Sequence, residues 1–127
     1  NDKRENVSSQ TSWEEMASYS RAVKYGNKIF VSGTTATHDN KVIGINDPVA
    51  QTNFIIDKIE AAVTSLGGKL NDIVRTRIFV KNIDDWESIA ETHGKRFQGI
   101  NPANTLVQAN LVGKHYLVEI EADAIID

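Results

Sequence analysis

The chain has 127 residues, 40% of them hydrophobic and 24% charged, a balance that suits one globular domain able to bury its own core. A net charge of −3 supplies no cationic field for a nucleic-acid backbone, which argues against RNA or DNA as a partner; the absence of cysteine removes disulfides, thiolate ligands and a thiol nucleophile. No apolar run approaches the ~18 residues of a membrane span and no secretory leader is evident, so a soluble cytoplasmic protein with no membrane partner is expected.

Residues 1–11 are polar and aperiodic and predict a flexible or loosely docked arm. Ser12-Trp13-Glu14-Glu15 has the form of a capping box and predicts one helical turn through Met16, with Trp13 and Met16 packed on the body. A strand over 19–25, a turn at Gly26-Asn27 and a strand over 28–32 make a hairpin. Gly33 leads into a polar loop around residues 38–41. Asp47-Pro48 then opens a helix whose Ile55, Ile59, Ala62, Val63 and Leu66 form one stripe, closed by Gly67-Gly68.

Residues 73–80 read as an apolar strand carrying Arg75 and Arg77. Asp84 to Glu87 caps a second helix, with Trp86, Ile89 or Ala90, His93 and Phe97 on its buried stripe. The chain closes with strands over 105–111 and 116–126 about a turn at 112–114, expected as a hairpin. In the last strand Val118, Ile120, Ala122 and Ala124 share one face, and Leu117, Glu119, Glu121 and Asp123 share the other. The order β-β-α-β-α-β-β predicts a single α+β domain over 1–127, a mixed sheet with two helices on one face. The second sheet face must then be solvated or buried against a partner.

His38, His93 and His115 are scattered without metal-ligand spacing, and no serine elbow, phosphate loop or dinucleotide fingerprint is present, so no metal and no cofactor are expected. Two arginines in a central strand call for acidic partners, and Glu119, Glu121 and Asp123 are the candidates. An ion-pair network is one reading of these charges. The other is an anion clamp at Arg21 or Arg77.

Pro102-Ala103-Asn104-Thr105, followed by a strand, a turn and Val118-Glu119-Ile120-Glu121-Ala122, resembles the C-terminal signature of the RidA/YjgF family, also called endoribonuclease L-PSP or translation initiation inhibitor. The likeness runs from about Tyr19 to Ile126. It implies a chorismate mutase-like fold and a homotrimer with clefts between subunits. It also implies hydrolysis of reactive enamines and imines bound there. On that resemblance Tyr19, Ser32 and Gly33 are cleft positions, and Glu121 is the residue expected to hold the water as base or orienter. The carboxylate-binding Arg of the deaminating members is replaced by Asn104, which supplies no charge. Ala90 stands where those members carry Asn, and Leu106 makes a bulkier, apolar wall. Tyr19, Arg21, Ser32, Gly33, Arg77, Asn104 and Leu106 are the substrate-binding candidates. The resemblance therefore implies a deaminase whose substrate is not the usual 2-imino acid, or a non-catalytic small-molecule binder; a ribonuclease is the weakest reading.

Overall fold

Arg4–Val7 (β1) lies antiparallel to Ala22–Tyr25 (β2), and β2 to Lys28–Thr34 (β3), in a computed structural model that describes residues 3–127. The expected flexible arm is thus corrected over Arg4–Val7, where an edge strand satisfies backbone groups of β2 that would otherwise face water. Residues 1 and 2 of that arm lie outside the described residues.

Between β1 and β2 sits a short helix, Ser12–Ala17 (α1), capped one residue earlier than the sequence suggested. Thr11, not Ser12, accepts from the backbone N–H of Glu14, and the helix ends at Ser18 in the left-handed region, φ 59°. Residues 18–21 then run irregularly, so β2 begins at Ala22 and not at Tyr19. Two-residue strands Thr37–His38 (β4) and Lys41–Val42 (β5) form a small hairpin in the expected polar loop.

Pro48–Ser65 (α2) starts as the sequence predicts: the Asp47 side chain accepts from Ala50 N, with Pro48 in the first turn. Its Ile55, Ile56, Ile59 and Val63 are fully buried against β3 and the last strand. Trp86–Arg96 (α3) packs on α2, where Arg96 bonds Asn53 and Asp57; Ile89 and His93 are buried, and Phe97 is buried just beyond the helix. Trp86 is 48% exposed and not on the buried stripe; it is the first residue of the helix, directly after a 3-10 turn over Ile83–Asp85.

Ile73–Val80 (β6), Ala103–Gln108 (β7) and Val118–Ile125 (β8) complete a six-stranded sheet of order β1-β2-β3-β8-β6-β7. The expected closing hairpin is not formed. β7 pairs in parallel with β6 at the sheet edge, joined by the α3 crossover, while β8 inserts antiparallel between β3 and β6. Burial explains the choice. β8 covers its helix-side face completely, with Val118, Ile120, Ala122 and Ala124 at 0–1% exposure, whereas β7 is exposed along most of its length and suits an edge. The mixed α+β sheet with both long helices on one face is as the sequence predicts.

Candidate functional site

Trp13, Met16 and Ala17 lie at i, i+3 and i+4, so α1 turns one face toward a single space. That space is a cavity of about 290 Å³, closed by Tyr19, Arg21, Gly33, Thr35, Val112 and Glu119. Most of its wall is apolar; its polar floor comes from Arg21 and Glu119.

Arg21 is 4% exposed. Its Nη2 donates to the carbonyl of Gly33 at 2.8 Å, and its Nη1 lies 3.8 Å from Glu14 Oε2. The Gly33 carbonyl is available because the β3–β8 ladder shifts register between Val31 and Thr34, a bulge that removes Gly33 from strand pairing. Nε of Arg21 is buried without a partner among the described residues, and the Tyr19 ring stands 5.7 Å from the guanidinium.

Glu14, also 4% exposed, anchors this arrangement from behind. Its carboxylate accepts from Ser8 Oγ (2.9 Å), Ser9 N (3.0 Å), Ser9 Oγ and Thr11 Oγ1 (3.1 Å). Burial alone would push this carboxyl up, but the serine hydrogen bonds and the Arg21 charge outweigh it and hold it below the usual glutamate range. Glu14 is therefore ionised and committed to structure.

Glu119 differs. Burial raises its carboxyl above the ordinary value; the Arg21 charge opposes that rise and the neighbouring Glu121 charge adds to it. Space for the carboxyl comes from Gly33, where a Cβ would lie 2.1 Å from Glu119 Oε2.

Of the residues singled out from sequence, the structure brings Tyr19, Arg21 and Gly33 together in this cavity. Ser32 stands behind it, its Oγ donating to the Ser20 carbonyl at 2.7 Å and tying β3 to the residues ahead of β2. Glu121 does not line the cavity. Its Oε1 and Asp123 Oδ2 both meet Arg77 Nη1, at 3.2 and 3.3 Å, on the open face of the sheet. The ion-pair reading therefore describes Arg77. Asn104 lies on β7, its Nδ2 donating to Thr76 Oγ1 at 3.0 Å, and Leu106 packs against the core. Within one chain Arg77, Asn104 and Leu106 stand apart from the cavity.

Sequence reasoning passed over Glu119, Thr35 and Val112 as site residues and expected Trp13 and Met16 to be packed. Met16 is 78% exposed at the cavity mouth. The helical spacing of Trp13, Met16 and Ala17 was the available signal. Glu119 and Glu121 share one strand face, and only the register opposite Arg77 separates them. Among the described residues no cluster of three or more His, Asp or Glu could hold a metal, and no helix is long and apolar enough to cross a membrane.

A profile of the family described as endoribonuclease L-PSP matches residues 9–126. The chain belongs to this family. RidA/YjgF is the same group, and its members span the chain. The 3-aminoacrylate deaminase RutC of Acinetobacter baylyi is 31% identical over 110 residues, 86% of this chain and 87% of that protein. A crystal structure of a YjgF/YER057c/UK114 family member from Mycobacterium tuberculosis has a TM-score of 0.87 at 40% identity, covering 97% of this chain and 99% of that one. The YjgF gene product of E. coli gives 0.81 at 28% identity, over 96% and 94% of the two chains.

Proposed function

We propose that this RidA/YjgF protein hydrolyses a small reactive imine or enamine in the Arg21–Glu119 cavity, completed in a homotrimer by a neighbouring subunit. The observation that carries the reading is Glu119: a half-buried carboxyl with a raised pKa, facing a cavity of about 290 Å³ beside a buried guanidinium. A carboxyl that burial holds above its ordinary value keeps its proton more readily than a free one, which suits a group that must both give and take it. The likeness to a 3-aminoacrylate deaminase supports the same chemistry.

In the proposed reaction, protonated Glu119 delivers its proton to the enamine carbon, producing the iminium ion. The resulting carboxylate then takes a proton from water as the water oxygen bonds to the iminium carbon. The same proton passes to nitrogen, the C–N bond breaks as the hydroxyl of the carbinolamine returns its proton to Glu119 and becomes the carbonyl, and ammonia leaves with the carbonyl product. Arg21, whose charge is shared with Glu14, is the guanidinium placed to orient an anionic substrate, because it lines the cavity and its Nε has no partner among the described residues. Arg77 stands outside the cavity and meets two acids. The open sheet face, with Phe30 and Val107 exposed beside the Arg77 ion pairs, is the surface proposed to meet neighbouring copies.

The test is ammonia release from 2-aminoacrylate, 3-aminoacrylate and imines freshly generated by an amino-acid oxidase. Turnover above buffer is expected for the wild type. Absence of turnover across the whole panel would overturn the reading.

Asn104 favours a second reading, a non-catalytic binder, because its amide is engaged by Thr76 and brings no charge. A Glu119→Ala variant that keeps ligand affinity, with no turnover in either form, would select it.

A further inference from the structure

Resting on the deaminase reading, we infer that the apolar side of the cavity recognises the substrate's side chain, and that the ligands preferred are imines, enamines and the matching 2-oxo acids bearing a branched aliphatic or aromatic group. The cavity has two unlike halves. Arg21 and Glu119 occupy one. Trp13, Met16, Ala17 and Val112 form the other. A substrate reduced to its reacting atoms and a methyl group would leave the second half wet. Met16 and Val112, 78% and 74% exposed, border this half, although apolar side chains of that size are ordinarily covered.

The wall is held in shape before any ligand arrives. Trp13 stands edge-on to Tyr116, centroids 5.8 Å apart at 64°. Tyr116 is 4% exposed, and its hydroxyl accepts from Thr37 Oγ1 at 2.8 Å. Thr35, which itself lines the cavity, shares a hydrogen bond with that same Thr37 hydroxyl at 2.8 Å. Gly113 makes the seat: a Cβ there would lie 2.7 Å from the Tyr116 ring. A fixed indole on one side and a flexible methionine on the other form a slot that grips a flat or branched group without rearrangement. The volume is at the lower end for small-molecule sites, which fits a metabolite and leaves no room for a peptide segment.

Trp13 also reports its own occupancy. The chain has two tryptophans, and the exposed Trp86 can be replaced by Phe so that emission comes from Trp13 alone. Titration of the Trp86→Phe protein with 4-methyl-2-oxopentanoate is expected to shift the emission, with a Kd at least about tenfold below that for pyruvate. Met16→Ser and Val112→Ser alter exposed positions and should shrink that ratio several-fold; Trp13→Ala should lower the kcat/KM ratio of leucine-derived over alanine-derived imine about tenfold. Equal affinities, no change in Trp13 emission with either acid, or an unchanged ratio in the serine variants would overturn the inference. If no imine is turned over, the deaminase reading falls and the titration alone decides the ligand preference.

Discussion

Glu119 and Glu121 stand two residues apart on the same face of β8, yet their surroundings give them opposite work. Glu121 spends its charge on Arg77, at a position where both side chains are about one-third exposed or more, so the pair contributes little to stability. Glu119 has lost water without gaining a direct ion-pair partner among the described residues. Glu119→Gln is expected to reduce imine turnover by about 10²–10⁴-fold, the usual worth of a general acid–base group, while Glu121→Gln reduces it far less. Steady-state ammonia release from both variants, with circular dichroism to confirm folding, checks this; equal losses would return the role to Glu121. Gly33→Ala probes the same carboxyl from the other side. The new methyl would overlap Glu119 Oε2, the mobile end of a side chain, so the protein should fold normally and lose at least tenfold in kcat/KM as the carboxyl is pushed aside. Tyr19 and Gly33 were legible through the family resemblance, and Arg21 as a cation two residues from Tyr19. The choice between two glutamates was not, because it depends on which one meets Arg77 across the ladder, and strand register is not written in either strand alone.

At the scale of elements, α3 is joined to the sheet by a polar chain that runs from the exposed Asn104, through its Nδ2, to the buried Thr76 Oγ1 and on to His93 Nε2, the last step 2.9 Å. Asn104 can only donate through its nitrogen, so the Thr76 hydrogen is free to go to His93, an arrangement a neutral ring accepts. Burial also lowers the His93 pKa below its ordinary 6.5. The unfolded chain therefore binds a proton below about pH 6.5 that the folded protein refuses, and stability falls as pH drops through that value toward the depressed folded one. The slope from this one group is at most about 1.4 kcal/mol per pH unit. Urea unfolding at pH 7, 6 and 5 should show the loss in the wild type and a flatter profile in His93→Gln; identical profiles would remove His93 as the cause. The long helices were readable because their signals are local: Asp47-Pro48 at one start, an apolar stripe along the helix, glycines at one end. α1 was readable as a helix but not in its facing, since Met16 behaves as a rim residue where hydrophobicity alone predicts packing. The closing hairpin failed for a different reason. Two strands joined by a short connection usually pair, but here β6 already offers both its edges, one to β7 through the α3 crossover and one to β8.

Across the whole molecule the sheet has one face under helices and one without cover. Phe30, on β3, is 48% exposed and Val107, on β7, 43%, on either side of Arg77, Glu121 and Asp123. In the proposed trimer this face is buried. Val107→Glu is therefore expected to leave the fold of each chain intact and lower the mass measured by light scattering from three chains toward one. An unchanged mass would mean that another surface holds the copies together. The uncovered face could be inferred from the pattern of helices and strands; the number of copies proposed to cover it could not, because it depends on the angle at which two curved faces meet.

The position of β8 has one more consequence, for the order in which the protein is made. Translation finishes the strands on both sides of the sheet, β1–β3 and β6–β7, before it reaches the strand whose ladders join them. A nascent chain arrested after residue 110 should therefore hold two unlinked fragments of sheet and yield readily to protease, and the resistant form should appear only once the last strand has left the ribosome and threaded between them.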